Sequence, residues 1–419
     1  MPILGKDIQL GPLEQLSRLR LVIKEQFPGM WKPTEACLSV IAQLKISDIS
    51  NCFFLTFVGP PSSRKTTMLS WFFGLDICYR SDQFSPKSFV SHYAGITNEK
   101  LQEVDLLPRI KDKVLITPEL LPTFNAPPEV LLENFGIITR VLDGQGFTSD
   151  SGVHGKRGYE GKYVFHWLGA VAYIPHRIWR ILGNLGPRAY FYLMPQEREK
   201  TPEELSEETK EDFEKKSKIC QNAVHSFITK LWKTYPEPVE WLKERDDTDA
   251  MIVIARMAKL LSKLRGNIEY QKVAEPDEEG NETEAIYTQP IIEEPHRVNQ
   301  MLYNLARGHA LICGRKYITK DDLPLIIKVA LNSANTDRVK LFEFLLKNNG
   351  LASSKDFENY LNCSRTMAIR TMTSLKILGL VDTIKGNPGE EGGRPMYYAR
   401  LKDDFKWFIS REFKILWED

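Results

Sequence analysis

Apolar positions along the chain change their spacing several times, and each change predicts a change of element. "LEQLSRLRLVIKEQF" and "TEACLSVIAQLKI" carry apolar residues at helical intervals on either side of the breaker "PGMWKP", so residues 1–50 read as a helical lead-in. From Asn51 the pattern shifts to short apolar runs, "CFFLTFVG", "KVLIT", "KYVFHWLGAVAYI" and "RAYFYLMP", separated by stretches of helical spacing. Buried strands alternating with helices predict an α/β core with a parallel sheet over 51–198. The segment "EREKTPEELSEETKEDFEKKSK" is so densely charged that it predicts an exposed helix with i,i+4 pairs or a solvated connection, and it marks a domain edge. Helical periodicity resumes at 223–232 and 250–264, breaks at the acidic loop "AEPDEEGNETEA", and returns over 296–331, which predicts a helical domain with charged linkers at 199–335. In 336–419 three short helical patterns precede a glycine-rich hairpin, "IKGNPGEEGGRPMYYARL", and a C-terminal tail.

The first strand runs directly into "VGPPSSRKTTML". Gly59 can make the turn, and the stretch Pro60, Pro61, Ser62, Ser63, Arg64, Lys65, Thr66, Thr67 has the layout of a phosphate-binding loop. In such a loop backbone amides cradle a triphosphate, the lysine meets its outer phosphates and the following hydroxyl meets Mg2+. Arg64 replaces a glycine, so the loop is expected to run outward there, with the guanidinium adding positive charge or facing solvent. A strand-loop-helix corner with an incidental Lys-Thr pair is the alternative. The next strand, in "KVLITPEL", ends at Glu119, which either orients a water against a terminal phosphate or caps the following helix. Pro118 stands where an acid usually precedes it, so further metal coordination falls to another group such as Thr117, or is weak.

The succession of phosphate loop, acid strand, helix with hairpin, apolar strand and arginine-ended helix resembles the AAA+ P-loop ATPases, in their minichromosome-maintenance and MoxR-like branch. The resemblance covers about 51–331 in the order of its elements. It implies an α/β P-loop core with a helical lid, ATP and Mg2+ as ligands, hydrolysis to ADP and phosphate, and a homo-oligomeric ring or filament. It also implies that Arg188 in "LGPRAYFY" reaches a neighbouring subunit's nucleotide, with Arg177 and Arg180 as alternatives; a surface arginine holding a carboxylate is the plainer reading. The strand expected to end on a polar side chain ends on Ala170, Val171 and Ala172 instead, which points to slow hydrolysis. "HRVNQMLYNLARGHALICGRKYITKDDL" looks like the family's lid, with Arg297 as its phosphate sensor or as a partner of Glu293 or Glu294. Thr319 and Asp322 read as a helix-capping turn. His154, Lys156 and Arg157 fall where related motors carry a pore hairpin, or form a surface loop.

The last segment resembles a winged helix-turn-helix. Ser364 would cap its recognition helix, with Arg365, Thr366, Arg370 and Thr373 outward and Met367, Ile369 and Leu375 inward. Residues 337–400 hold about ten basic and seven acidic side chains, a mild balance compatible with DNA, while Glu390 and Glu391 in the wing would repel a phosphate backbone and suit a protein contact. The net charge of the 419 residues is +1, so any nucleic-acid contact must be a local patch. Six cysteines without C-x-x-C spacing read as reduced core thiols, and seven dispersed histidines give no metal constellation. With no run long enough to span a membrane and no leader pattern, a cytoplasmic location is expected. Three functions fit: an ATP-driven DNA-associated motor or remodeller, a nucleotide-binding switch or DNA-binding regulator with little hydrolysis, and a scaffold with a vestigial site.

Overall fold

Phe54–Val58 is buried along its whole length, as a strand covered on both faces must be, and this run is the centre of the fold in the computed structural model of the chain. The structure describes residues 11–83, 85–91, 98–151, 155–185, 188–196, 198–272, 285–386 and 396–418. Contacts divide the chain into two units, one made of Met1–Pro175, Arg188–Met251 and Met301–Leu325, the other of His176–Pro187, Ile252–Gln300 and Ile326–Asp419.

The first unit carries seven strands: β1 (Phe54–Val58), β2 (Cys78–Arg80), β3 (Val114–Thr117), β4 (Gly146–Ser151), β5 (Gly155–Glu160), β6 (His166–Val171) and β7 (Ala189–Leu193). Five of them form a sheet of order β2-β3-β6-β1-β7 in which every pairing is parallel. The expected strands are all in it, and the short edge strand β2 is an addition that its three residues, none of them buried, did not announce. Aromatic pairs lock the register: Phe54 stacks on Trp167 at 4.2 Å and Phe53 on Tyr190 at 4.8 Å. β4 and β5 form a separate antiparallel hairpin, so Lys156 and Arg157 lie on a strand; His154 lies outside the described residues.

Trp31–Ala42, in the helical lead-in, is buried over ten of its twelve residues. The charged segment lies inside the first unit. It forms the helices Pro202–Glu208 and Phe213–Thr234, and the second is laid against the helix that follows β1, with Trp71 Nε1 donating to Ser217 Oγ at 3.2 Å and Gln221 Nε2 to Phe73 O at 3.2 Å.

Asp322, fully buried, is the hub of a second set of contacts in this unit. Its carboxylate takes both arms of Arg315 at 2.8 Å, His309 Nδ1 at 2.6 Å and the Thr319 amide at 2.8 Å, so the expected capping turn is present and also ties three side chains together. Glu35 approaches the other face of His309 at 3.6 Å. Burial alone pushes the His309 pKa down, but hydrogen bonding to Asp322 and Glu35 outweighs it and raises the value to about 9.

In the second unit, the helices Thr336–Lys347, Ser354–Leu361 and Arg365–Ile377 pack with β10 (Leu351–Ser353), β11 (Val381–Lys385) and β12 (Tyr397–Leu401), an antiparallel sheet of order β10-β12-β11. β8 (Tyr270–Lys272) and β9 (Ala285–Tyr287) make a further hairpin. The buried side of Arg365–Ile377 is Ala368, Thr371, Met372 and Leu375; Met367 and Ile369, expected inside, are half-buried. The C-terminal tail is ordered structure, with Phe408 and Phe413 buried edge to face at 5.0 Å. All six cysteines are free thiols. Among the described residues no helix is long and apolar enough to cross a membrane.

The His309 shift fixes a pH dependence. A folded-state pKa above the ordinary 6.5 means that the charged histidine contributes stability in full below about pH 6.5, and that this is lost as the pH rises through about 9. The expected loss is on the order of 3 kcal/mol at most. Urea unfolding from pH 6 to 10 should therefore fall more steeply for the wild type than for His309→Gln; parallel curves would show that the histidine is not held charged.

Candidate functional site

A parallel sheet presents the carboxyl ends of its strands on one edge, and ligand sites of open α/β sheets lie there, where the chain leaves a central strand in opposite directions. Here that strand is β1, with β6 on one side and β7 on the other. Its exit loop is tightly folded. Gly59 N donates to Val171 O at 3.2 Å, and a Cβ on Gly59 would stand 2.8 Å from Ser63 Oγ and 3.0 Å from Met194 Cβ, so only glycine fits. Ser63 N closes the turn on Pro60 O at 3.2 Å, and Ser62 and Arg64 both adopt left-handed backbone, with φ of 65° and 61°.

Lys65 opens the helix Lys65–Ser70 and folds back over the loop. Its Nζ donates to Gly59 O at 2.6 Å, Pro60 O at 2.8 Å and Ser63 Oγ at 2.9 Å, and the residue is only 7% exposed. Burial lowers its pKa, and the nearby Glu119 carboxylate works against that shift. Glu119 therefore stands across the sheet edge from Lys65, at the end of β3. Its side chain is exposed, and its Oε1 accepts the Leu121 amide at 2.8 Å, which is the capping role read as its alternative. Beside it a cavity of about 380 Å³ is bounded by Thr117, Asp82, Lys87, Glu133 and Asn134. Thr66 is exposed on the first turn of the helix, and Thr67 half-buried behind it.

Several details differ from expectation. Pro60 and Pro61 have no N–H, so the cradle of amides cannot run from Pro60; the donors are those from Ser62 onward, and the Lys65, Thr66 and Thr67 amides meet no backbone acceptor among the described residues. Arg64 does not push the loop outward. The backbone keeps the left-handed turn that a glycine would take, while the guanidinium turns away to Glu208 at 2.5 Å and over the Phe27 ring at 5.5 Å. Thr117 is not placed as a metal ligand, since its hydroxyl is buried in the sheet and accepts the Trp167 indole N–H at 3.1 Å. Ala170 and Val171 at the end of β6 are buried and apolar, as read from the sequence.

Arg188 is the largest correction. It is 7% exposed and clasps Asp143 of its own chain, Nε to Oδ1 at 2.8 Å and a terminal nitrogen to the same oxygen at 2.7 Å, so it is engaged in the first unit's core and is not presented to a neighbour. Arg297 belongs to the second unit, where it is exposed on the first turn of the helix Pro295–Ile312; Glu293 pairs with Arg265 at 3.8 Å instead. On Arg365–Ile377, capped by Ser364 Oγ through the Met367 amide, Thr366 and Arg370 are exposed and Arg365 and Thr373 half-buried. Glu390 and Glu391 fall outside the described residues. Sequence reasoning missed Glu208, whose role is hidden in a run of charges where each acid looks like the next.

Left-handed backbone at a residue with a Cβ costs roughly 1–3 kcal/mol, so Arg64→Gly should be more stable than Arg64→Ala by about 1 kcal/mol in thermal or urea unfolding, although both lose the Glu208 pair. An equal or reversed order would show that the bend is not strained there. Arg188→Ala should lower stability by about 2 kcal/mol, because Asp143 loses its buried cation and keeps only the exposed Arg140 at 3.3 Å, and the Asp143→Ala background should reduce that cost. A melting temperature unchanged by Arg188→Ala would return the residue to service outside its own chain. No protein-family model matches the chain, and a search of curated proteins returns no match.

Proposed function

We propose that the loop 59–67 binds ATP and that the chain is a P-loop ATPase of AAA+ type associated with DNA. The observation that carries this reading is the pairing of a buried lysine and an acid across the carboxyl ends of β1 and β3 of one parallel sheet, with the first amides of a helix beside them. Lys65 donates to three acceptors within the loop, and a triphosphate would supply stronger, charged ones in their place. Amides 65–67 point from the helix start, and the Gly59 bend leaves no room for a side chain, so the residues present fit a phosphate tail, with fewer donors than a loop lacking the two prolines. Thr66, exposed beside Lys65, is the hydroxyl that would hold Mg2+, which supplies charge neutralisation on the phosphate oxygens. Glu119 would orient the attacking water, giving ADP and phosphate.

A second reading, a nucleotide-binding switch with little hydrolysis, is favoured by the apolar end of β6 and by Arg188, which is occupied by Asp143. The homo-oligomer implied by the family resemblance needs a cation delivered by a neighbour, and Arg188 in its present pairing is not that cation. Support for DNA comes from the helix-strand-helix-helix-strand-strand order of 336–401, which is that of a winged helix, and from the exposed Thr366 and Arg370 on its third helix.

Lys65→Ala should abolish ATP binding in calorimetry under either reading, and retained heat would sink both. Glu119→Gln should keep binding. If the chain hydrolyses ATP, this change should lower steady-state phosphate release by about 10²-fold or more. If wild type and variant release phosphate equally slowly, with and without DNA, the switch is the correct reading.

A further inference from the structure

The second unit holds a cavity of about 570 Å³ whose walls are unusually cationic. It lies between the helix His176–Leu185, the bend 264–269 after the helix Thr248–Arg265, the start of Thr336–Lys347, and the helix Arg365–Ile377. Five arginines line it, Arg177, Arg180, Arg265, Arg338 and Arg370, against the single carboxylate of Glu269. They are brought together by a close approach. A Cβ on Gly183 would stand 3.1 Å from Arg265 O and 3.1 Å from Asn267 Cβ, so any larger residue would press the helix a few tenths of an ångström off the bend.

The inner arginines have structural duties. Arg265 Nε donates to Ser333 O at 2.7 Å, while one terminal nitrogen of Arg338 reaches Leu264 O at 2.9 Å and Gly266 O at 2.6 Å, satisfying carbonyls where the helix Thr248–Arg265 ends. Arg265 is answered in part by Glu293 at 3.8 Å. Arg338 makes no ion pair with a carboxylate among the described residues, and burial lowers its pKa to about 10 although the Asp337 carboxylate works against that shift. Arg180 and Arg370 are exposed, where an incoming anion would meet them first.

We propose that this cavity binds clustered phosphate groups, with the buried arginines setting the potential and Arg177, Arg180 and Arg370 making the contacts. A nucleic-acid backbone and a free oligophosphate share this chemistry. The backbone is favoured because Arg370 also belongs to the helix assigned to DNA above, and to that extent the inference rests on the DNA reading; it is independent of nucleotide binding at the β1 loop.

The test measures the full chain against two probes, a fluorescein-labelled DNA duplex by anisotropy over a salt series, and inorganic tripolyphosphate by calorimetry. Arg177→Ala combined with Arg180→Ala should weaken duplex binding about tenfold or more and make the log-log salt slope shallower by about 2, one for each phosphate that the variant no longer neutralises. Weakening confined to tripolyphosphate would assign the site to a free oligophosphate. No change with either probe overturns the proposal, as does tripolyphosphate binding that is lost in Lys65→Ala and kept in the cavity variant, since the anion would then sit on the β1 loop. If Arg365→Ala and Thr366→Ala weaken duplex binding while the double variant does not, the DNA reading stands and this one fails. Single changes at exposed Arg180 guard against misfolding: Arg180→Glu should weaken binding more than Arg180→Lys at equal melting temperature, and equal effects would count against a phosphate contact.

Discussion

One ammonium group organises the bend at the carboxyl end of β1. Two prolines, two left-handed residues and a glycine with no space for a Cβ make a loop with few hydrogen bonds of its own, and Lys65 Nζ supplies the rest by drawing Gly59 O, Pro60 O and Ser63 Oγ around itself. Such a cation is held in a strained loop by neutral acceptors. A ligand with more negative oxygens can compete for it.

The rest of the first unit can be understood as support for that bend. β1 needs parallel neighbours on both sides, and stacked aromatics fix their register, so the ends of β1, β3 and β6 arrive at one edge. The helix after the loop has six residues, too short to hold its own position, and the long helix Phe213–Thr234 holds it through Ser217 and Gln221. Arg64 is where the two supports meet. Its backbone takes a conformation that disfavours a side chain, and its side chain is held outside the loop by Glu208.

Charge is distributed by the same logic of compensation. Apart from Lys65, the buried cations Arg315, His309 and Arg188 of the first unit are answered by carboxylates: Asp322 for Arg315 and His309, Asp143 for Arg188. In the second unit Arg338 rests on carbonyl oxygens, which satisfy hydrogen bonds without removing charge, and Arg265 divides itself between a carbonyl and Glu293. A net charge near zero conceals this contrast, because it sums over both units.

Much of the architecture was legible in the apolar pattern. Fully buried parallel strands need continuous runs such as "FFLTFV", and the positions of Gly59, Lys65 and Thr66 followed from the strand that precedes them. Helix caps at Ser364 and Thr319 were legible for the same reason, since a cap is satisfied within three or four residues. What the sequence could not give was any property set by a distant partner. Whether Arg188 serves a neighbour or its own Asp143, whether Arg64 bends the loop or leaves it for Glu208, and whether five scattered arginines share a wall all depend on groups far away along the chain. Periodicity reports which face of an element is apolar. Long polar side chains choose partners by three-dimensional proximity, so only the folded chain decided where its charges went.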